Sequence, residues 1–269
     1  MSSRHSTTIR RMARAQRGFT LVELMVTVAI ATFLLAGLVT ILQNVRATYF
    51  NQQSLAQLQD QQRFAMTVLT DVIQAGGYFP DPLGMTPATA LPAAGALPGT
   101  GAYQVGQAFS GTQPAGQPDS IGVRYRTANS DGVILCDGSS NTAVPPGSQL
   151  YTNVFTVVPP AGAVPGELRC TLTIGAAANA PLTLITGVQG LTIYYGVKRN
   201  PAVVDYNVDT YLTANQMLVA GPNGNDWSNI SAVRVILQFN NPLFGQPGQP
   251  QFITFERVIE VMARAGVHT

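Results

Sequence analysis

An apolar run close to the N-terminus constrains this chain more than any other feature. It extends over residues 20–42 and contains one ionisable side chain, the carboxylate of Glu23. As a helix with a rise of 1.5 Å per residue, the run measures about 35 Å, which is enough to cross a bilayer core of about 30 Å. A carboxylate in a membrane span costs on the order of 3 kcal/mol at the helix centre and less near the end. We therefore expect a membrane-anchored chain in which Glu23 meets a cationic partner.

The residues before the run form a basic leader. Residues 1–18 contain five arginines and no acidic residue, which places the N-terminus on the cytoplasmic side under the positive-inside rule. A secretory signal is cut after its apolar segment, but the small-residue junction here, Gly18-Phe19, precedes that segment. Cleavage at this junction would remove the leader 1–18 and keep the membrane helix.

The stretch Arg17–Glu23 resembles the class III signal of type IV pilins and type II secretion pseudopilins. The resemblance implies cleavage between Gly18 and Phe19 by a prepilin peptidase, followed by N-methylation of Phe19. It also implies that Glu23 pairs with the positively charged amino terminus of a neighbouring subunit. The alternative is a plain signal anchor with Glu23 near the membrane interface, and it leaves the Gly18-Phe19 junction unexplained.

Beyond the span, the same helix is predicted to continue. Residues 43–75 contain neither proline nor glycine, and their apolar side chains recur every three to four residues, so the outer half should lie against a folded domain. Gly76-Gly77 followed by Pro80 and Pro82 predicts the end of the helix. We assign 19–77 to one long helix whose inner half, 20–42, is transmembrane.

The remainder, 78–269, is predicted to be a globular periplasmic β-rich head. It opens with a long loop, 78–119, that is rich in Pro, Gly, Ala and Thr; one short strand is expected at Ala102–Gln107, and a disordered linker is the alternative. Alternating β-rich segments follow without intervening helices, which indicates an α+β, pilin-like fold with a mainly antiparallel sheet packed on the helix. The predicted strands are Ile121–Thr127, Gly132–Cys136, Leu150–Val158, Glu167–Ile174, Leu182–Ile185, Leu191–Val197, Ala232–Phe239 and Gln251–Met262.

Both cysteines, Cys136 and Cys170, lie in the predicted head. Two cysteines with almost no histidine cannot complete a structural zinc site. A domain exported to an oxidising compartment favours a disulfide between them, although two reduced core cysteines remain the alternative.

Catalytic machinery is not apparent in the sequence. The two histidines are His5, in the leader, and His268, beside the C-terminus, so neither is placed to act as an oriented base. Glu256 and Glu260 share one strand face, which is more typical of a solvated surface than of a glycosidase pair. We expect no enzymatic activity and no cofactor.

The charge balance argues against a nucleic-acid-binding body. The formal charge of +2 includes the five leader arginines, so the processed chain falls to about −3. Because nucleic-acid affinity depends on neutralising phosphates, no nucleic-acid partner is expected.

One segment is a weak calcium candidate. Asp205, Asn207 and Asp209 are spaced like the first ligands of a calcium loop, but Thr210 stands where the loop needs glycine and Gln216 where it needs a bidentate glutamate. A turn held by Asx side chains is the favoured interpretation, and no metal site is assigned.

Later segments are similar to one branch of this superfamily, the PilW minor pilins. They are Gln61–Phe64, Asp71–Phe79, Leu191–Val197, Asp209–Leu212 and Trp227 with Ala232–Val235. The resemblance implies a minor pilin that helps to prime pilus assembly at the tip. It also implies partners: other minor pilins, the major pilin, the prepilin peptidase, the inner-membrane assembly platform and a tip adhesin.

The resemblance further implies a single-pass inner-membrane protein with a periplasmic head, later carried to the pilus and the cell surface. Two alternatives stay open. One is a type II secretion pseudopilin, and the other is a membrane-anchored periplasmic module that binds DNA or a surface ligand.

Overall fold

The computed structural model describes residues 18–142, 147–175, 177–200, 207–217 and 226–264. It contains one long helix, α1, Leu21–Gln74, followed by a β-rich region, so the predicted α+β fold is confirmed. The chain forms two compact units, 1–53 and 54–269. They are described separately below.

The described part of the first unit, 18–53, consists of three residues and the N-terminal part of α1. Its apolar side chains are all exposed to solvent in the isolated chain, and Phe33, for example, is 79% exposed. A soluble helix would bury one face, so this all-round exposure of apolar residues is typical of a helix that a membrane or other helices surround.

In the second unit, one face of α1 is buried, because apolar residues recur at the helical period there. The predicted stripe is confirmed at Leu58, Ala65, Met66, Leu69, Val72 and Ile73. Gly77 follows the helix with φ of +82°, a left-handed conformation that glycine adopts without steric cost. Its N–H donates to the carbonyl oxygen of Arg124 at 2.9 Å, which ties the helix end to the sheet.

The larger sheet has six strands within the described residues. Its order is β1-β2-β3-β4-β5, with β6 also paired to β4, and every pairing is antiparallel. The strands are β1 Phe109–Thr112, β2 Ser120–Ala128, β3 Ser148–Val158, β4 Glu167–Ile174, β5 Ala177–Ala178 and β6 Leu182–Thr186.

A second sheet of four described strands has the order β10-β9-β7-β8, and its pairings are antiparallel as well. Gly187 alone separates β6 from β7, so the chain passes from one sheet to the other within a single residue. The strands are β7 Val188–Val197, β8 Thr210–Leu212, β9 Ile230–Asn240 and β10 Phe252–Glu260.

Short helical segments fill the connections. These are α2 Pro87–Ala90, α3 Ala214–Met217 and two 3₁₀ turns, Asp226–Asn229 and Met262–Arg264. The buried side chains of α1, of both sheets, of α3 and of the turn Asp226–Asn229 form one hydrophobic core. The head therefore contains two sheets where the sequence suggested one.

Two predicted strands are wrong. Gly132–Cys136 is a loop with one isolated bridge, Ile134 to Ser140, because Asp131 and Asp137 accept local backbone N–H bonds that compete with a strand ladder. Ala102–Gln107 likewise forms only a bridge at Tyr103, and the strand of this region is β1, a few residues later.

Candidate assembly segment and head surfaces

The residues around the predicted cleavage junction lie outside the helix. Gly18, Phe19 and Thr20 precede α1 and are exposed. Thr20 caps the helix, since its Oγ1 accepts the N–H of Glu23 at 3.3 Å and its carbonyl oxygen accepts the N–H of Leu24 at 3.2 Å. The chain at Gly18-Phe19 is therefore non-helical and accessible, as a protease substrate must be.

Glu23 is the acidic residue in the first turn of α1. Three threonines deeper in the apolar run satisfy their hydroxyls internally: Thr27, Thr32 and Thr40 donate to backbone carbonyls three or four residues earlier at 2.9 to 3.0 Å. In the described part of the chain, the carboxylate of Glu23 makes no such bond. It is thus the polar group of this run that most needs a partner from outside the helix.

Among the described residues, α1 is the one helix that is long and apolar enough to cross a membrane. None of its apolar part is buried inside the protein. A core helix of a soluble domain would instead be covered by its own fold.

A disulfide joins Cys136 and Cys170, as predicted, with their Cα atoms 6.1 Å apart. Cys136 lies in the loop after β2 and Cys170 in β4, so the bond fixes that loop to the larger sheet. Two hydrogen bonds hold the same loop: Cys136 N–H donates to Asn153 Oδ1 and Tyr125 Oη donates to the Ile134 carbonyl, both at 2.9 Å.

Two arginines of β2 that the sequence prediction did not single out hold the long loop against the sheet. Arg124 is 1% exposed; it donates to the Pro92 carbonyl at 2.6 Å and lies 4.6 Å from the centre of the Tyr103 ring. Burial lowers the pKa of Arg124. Arg126 donates to the carbonyls of Ala90 and Ser148. The sequence did contain a signal for this role. The two arginines are two residues apart in an apolar strand, which places both on the same face of the sheet.

Asp119 connects the two sheets. Its own N–H donates to the Leu191 carbonyl at 2.8 Å, and its carboxylate accepts the N–H of Ile193 at 2.9 Å. Burial raises the pKa of this carboxyl, and the bond from Ile193 offsets part of the increase. Asp119 thus bonds to the part of this β7 edge that β8 leaves unpaired.

The weak calcium candidate lies partly outside the described residues, since Asp205 falls in the gap 201–206. Asn207 is described, and Asp209 accepts the backbone N–H groups of Arg199 and Asn200 at 2.9 and 2.7 Å. These two bonds lower the pKa of the Asp209 carboxyl. In the described part of the chain, no group of three or more His, Cys, Asp or Glu is arranged to hold a metal ion.

Two parts of the chain match known families. Residues 13–39, which include Gly18, Phe19 and Glu23, match the prokaryotic N-terminal methylation motif. Residues 154–245, from within β3 to just beyond β9, match the type IV pilus-assembly protein W family, PilW. These two matches support a type IV pilin of the PilW kind.

A similar solved structure is the type IV-like pilin of Thermus thermophilus. The two chains share 16% identity with a TM-score of 0.40, over 77% of this chain and 98% of that one. No curated protein matches the pilin.

The identification gives the N-terminal features a context. The pilin family is structural and suggests interaction with pilus components, and the methylation motif suggests processing by a prepilin peptidase. The motif and the apolar helix together fit a membrane-anchored pilin.

Loss of the disulfide is expected to destabilise the head of the pilin strongly. Because the two cysteines are 34 residues apart, the chain-entropy estimate for such a loop predicts a fall of roughly 3 to 4 kcal/mol in the free energy of unfolding for Cys136→Ser. Urea denaturation of a soluble fragment starting at Ser54 measures this. Ser139→Ala, in the same loop, is the control and should change stability far less; equal stability of Cys136→Ser and wild type would contradict the prediction.

Proposed function

We propose that this chain is a minor pilin of the type IV pilus, a non-enzymatic structural subunit that helps to prime pilus assembly at the tip. The observation that carries the proposal is the presence of the methylation motif and the PilW segment on one chain. The helix would insert among the helices of neighbouring subunits, and the head would contact other minor pilins.

The proposed processing removes residues 1–18 and leaves an N-methylated Phe19 at the start of the helix segment 19–77, with 78–269 as the head. The new ammonium of Phe19 and the carboxylate of Glu23 would both lie in a layer of low dielectric constant. Each is costly there alone, and their attraction is much less screened than in water. An ammonium from a neighbouring subunit at Glu23 would therefore favour one axial offset between subunits.

The proposed location follows from the basic leader and the span. The protein would first cross the inner membrane once, with a periplasmic head, and then pass through the assembly platform to the pilus at the cell surface. Its proposed partners are the prepilin peptidase, the other minor pilins, the major pilin and a tip adhesin.

Deleting the gene and counting surface pili by electron microscopy tests this function. We expect pili to be lost or reduced about tenfold or more, and to return when the intact gene is supplied in trans. Normal piliation combined with a defect in protein export would instead favour a type II secretion pseudopilin. Normal piliation with ligand binding by the isolated head would favour an anchored binding module.

A further inference from the structure

An apolar groove of about 370 Å³ lies on the surface of the head unit. It is bounded by α1 residues 64–72, by the disulfide loop 134–138 and by β6 residues 182–184. We refer to it as the α1–β6 groove. Three of its apolar side chains, Phe64, Ile134 and Leu182, are each about half exposed, at 50%, 53% and 47%. A cluster of this kind on a soluble surface marks an interaction site.

The walls of the α1–β6 groove are held in place before any partner arrives. The loop wall is fixed by the Cys136–Cys170 bond and by the hydrogen bond from Tyr125 to Ile134. The strand wall, β6, is paired along β4. Little conformational entropy is therefore lost when a partner enters, which favours binding.

The groove has a defined charge. Its lining residues include two carboxylates, Asp71 and Asp137, and no lysine or arginine. Asp71 is exposed, and no ion pair joins it to a described basic residue. A fitting partner should therefore combine apolar side chains with a cation.

The first unit of the same chain carries such a segment. Val45, Tyr49 and Phe50 are exposed to 60%, 65% and 63%, and Arg46 stands beside them without an ion pair to a described residue. Their spacing places all four on one side of the helix. They follow the apolar span 20–42 and so lie outside the hydrocarbon core of the membrane. Lipid therefore does not cover these exposed side chains, and another partner has to.

We propose that the α1–β6 groove binds the Val45–Phe50 helix segment of a second copy of this chain, with the aromatic side chains in the groove and Arg46 beside Asp71 and Asp137. The two complementary surfaces occupy different parts of one chain, so the contact is heterologous. Contacts of this kind close into rings or build open helical arrays. The inference rests on the proposed pilin function, since only an assembled filament brings such helices together outside the membrane.

Photo-cross-linking in living cells tests the contact with the full-length chain. Benzoylphenylalanine replaces Leu182 in one copy, and a second copy carries a different affinity tag. After irradiation, we expect a cross-link between the tagged copies that maps to the tryptic peptide Ala47–Arg63, at Tyr49 or Phe50. The same photo-reactive residue at Val164, which is 59% exposed but outside the groove, is the matched control and should not form it.

Charge reversal separates docking from mere proximity. Asp71→Arg in the photo-reactive copy should lower the cross-link yield about fivefold, as expected for one partly exposed charge pair. Arg46→Glu in the tagged copy should restore the cross-link yield only when the photo-reactive copy carries Asp71→Arg. Arg63→Glu, whose arginine pairs with Asp60 at 3.3 Å, should not restore it.

Three results would overturn the groove contact. They are cross-links that map elsewhere or to a different pilin, the absence of cross-links at Leu182, and the absence of rescue by Arg46→Glu. The strain background distinguishes this failure from failure of the proposed function. If deletion of the gene abolishes pili but the cross-link is missing, the groove contact alone is wrong; if deletion leaves pili intact, the minor-pilin function is wrong.

Discussion

Gly18→Trp should abolish processing, leaving a chain that starts at Met1 in place of one that starts at N-methylated Phe19. There is open space around Gly18, since beyond its chain neighbours no atom lies within 4 Å of the position that a Cβ would occupy. A bulky side chain at this position therefore does not disturb the protein's own fold. The block must arise in the peptidase, whose cleft has to accept the residue before the cut. Mass spectrometry of the N-terminal peptide measures the outcome.

Gly37→Ala is the matched control for this experiment. Gly37 lies in the same apolar run and has similar open space around an added Cβ, but it is far from the junction. Its processing should be normal, because the change is far from the cleavage junction. The helix itself should also tolerate it, since alanine is favoured over glycine inside a helix. An intact Met1 N-terminus on the wild-type protein, in a host with an active prepilin peptidase, would refute the whole processing scheme.

Glu23→Gln should leave cleavage, membrane insertion and head folding intact but impair assembly. Glutamine keeps the shape of the side chain and removes the charge that would meet a neighbouring ammonium. Breaking a buried ion pair by removing one partner costs about 3 to 5 kcal/mol, so recruitment should fall by about tenfold or more even if only part of that energy applies. Co-purification of other minor pilins from membranes and a count of surface pili measure the effect.

Asp60→Asn provides the comparison for Glu23→Gln. Asp60 is also a carboxylate on α1, but it is highly exposed and already pairs with Arg63 at 3.3 Å. Exposed pairs of this type contribute about 0 to 1 kcal/mol. If Glu23→Gln behaved like Asp60→Asn, with both readouts at the wild-type level, the carboxylate would be dispensable in this subunit. A tip position without an upstream ammonium would then explain the chain better.

The features that sequence predicts well here are local. The apolar run, the break at Gly76-Gly77 and the three-to-four-residue stripe on α1 each depend on residues close in the chain, and the structure has helix and burial where they predict them. Strands such as β3 and β4 follow from alternation in the same way. The disulfide was predictable because a head exported to an oxidising compartment favours it. The number of residues between the two cysteines did not predict it.

What the sequence could not predict depends on distant segments. One example is the split into two sheets. The chain passes from one sheet to the other at Gly187, and Asp119 joins the sheets through two hydrogen bonds to β7 residues more than 70 positions later in the chain. The α1–β6 groove joins residues near 64–72, 134–138 and 182–184. No periodicity in any one of these segments shows that the other two lie beside it.

The arrangement of the core sets the order in which the head can fold. The buried face of α1 is made early in synthesis, but β10, which adds Ile259 to the same core, is made last. On the surface, Arg257 in β10 also donates to Thr70 on α1 at 3.1 Å, across 187 residues of sequence. Pairing of such distant segments is slow, and unpaired apolar surface is prone to aggregate meanwhile. Until β10 has been synthesised, the buried face of α1 therefore lacks part of its cover, and the unfinished chain stays prone to aggregation.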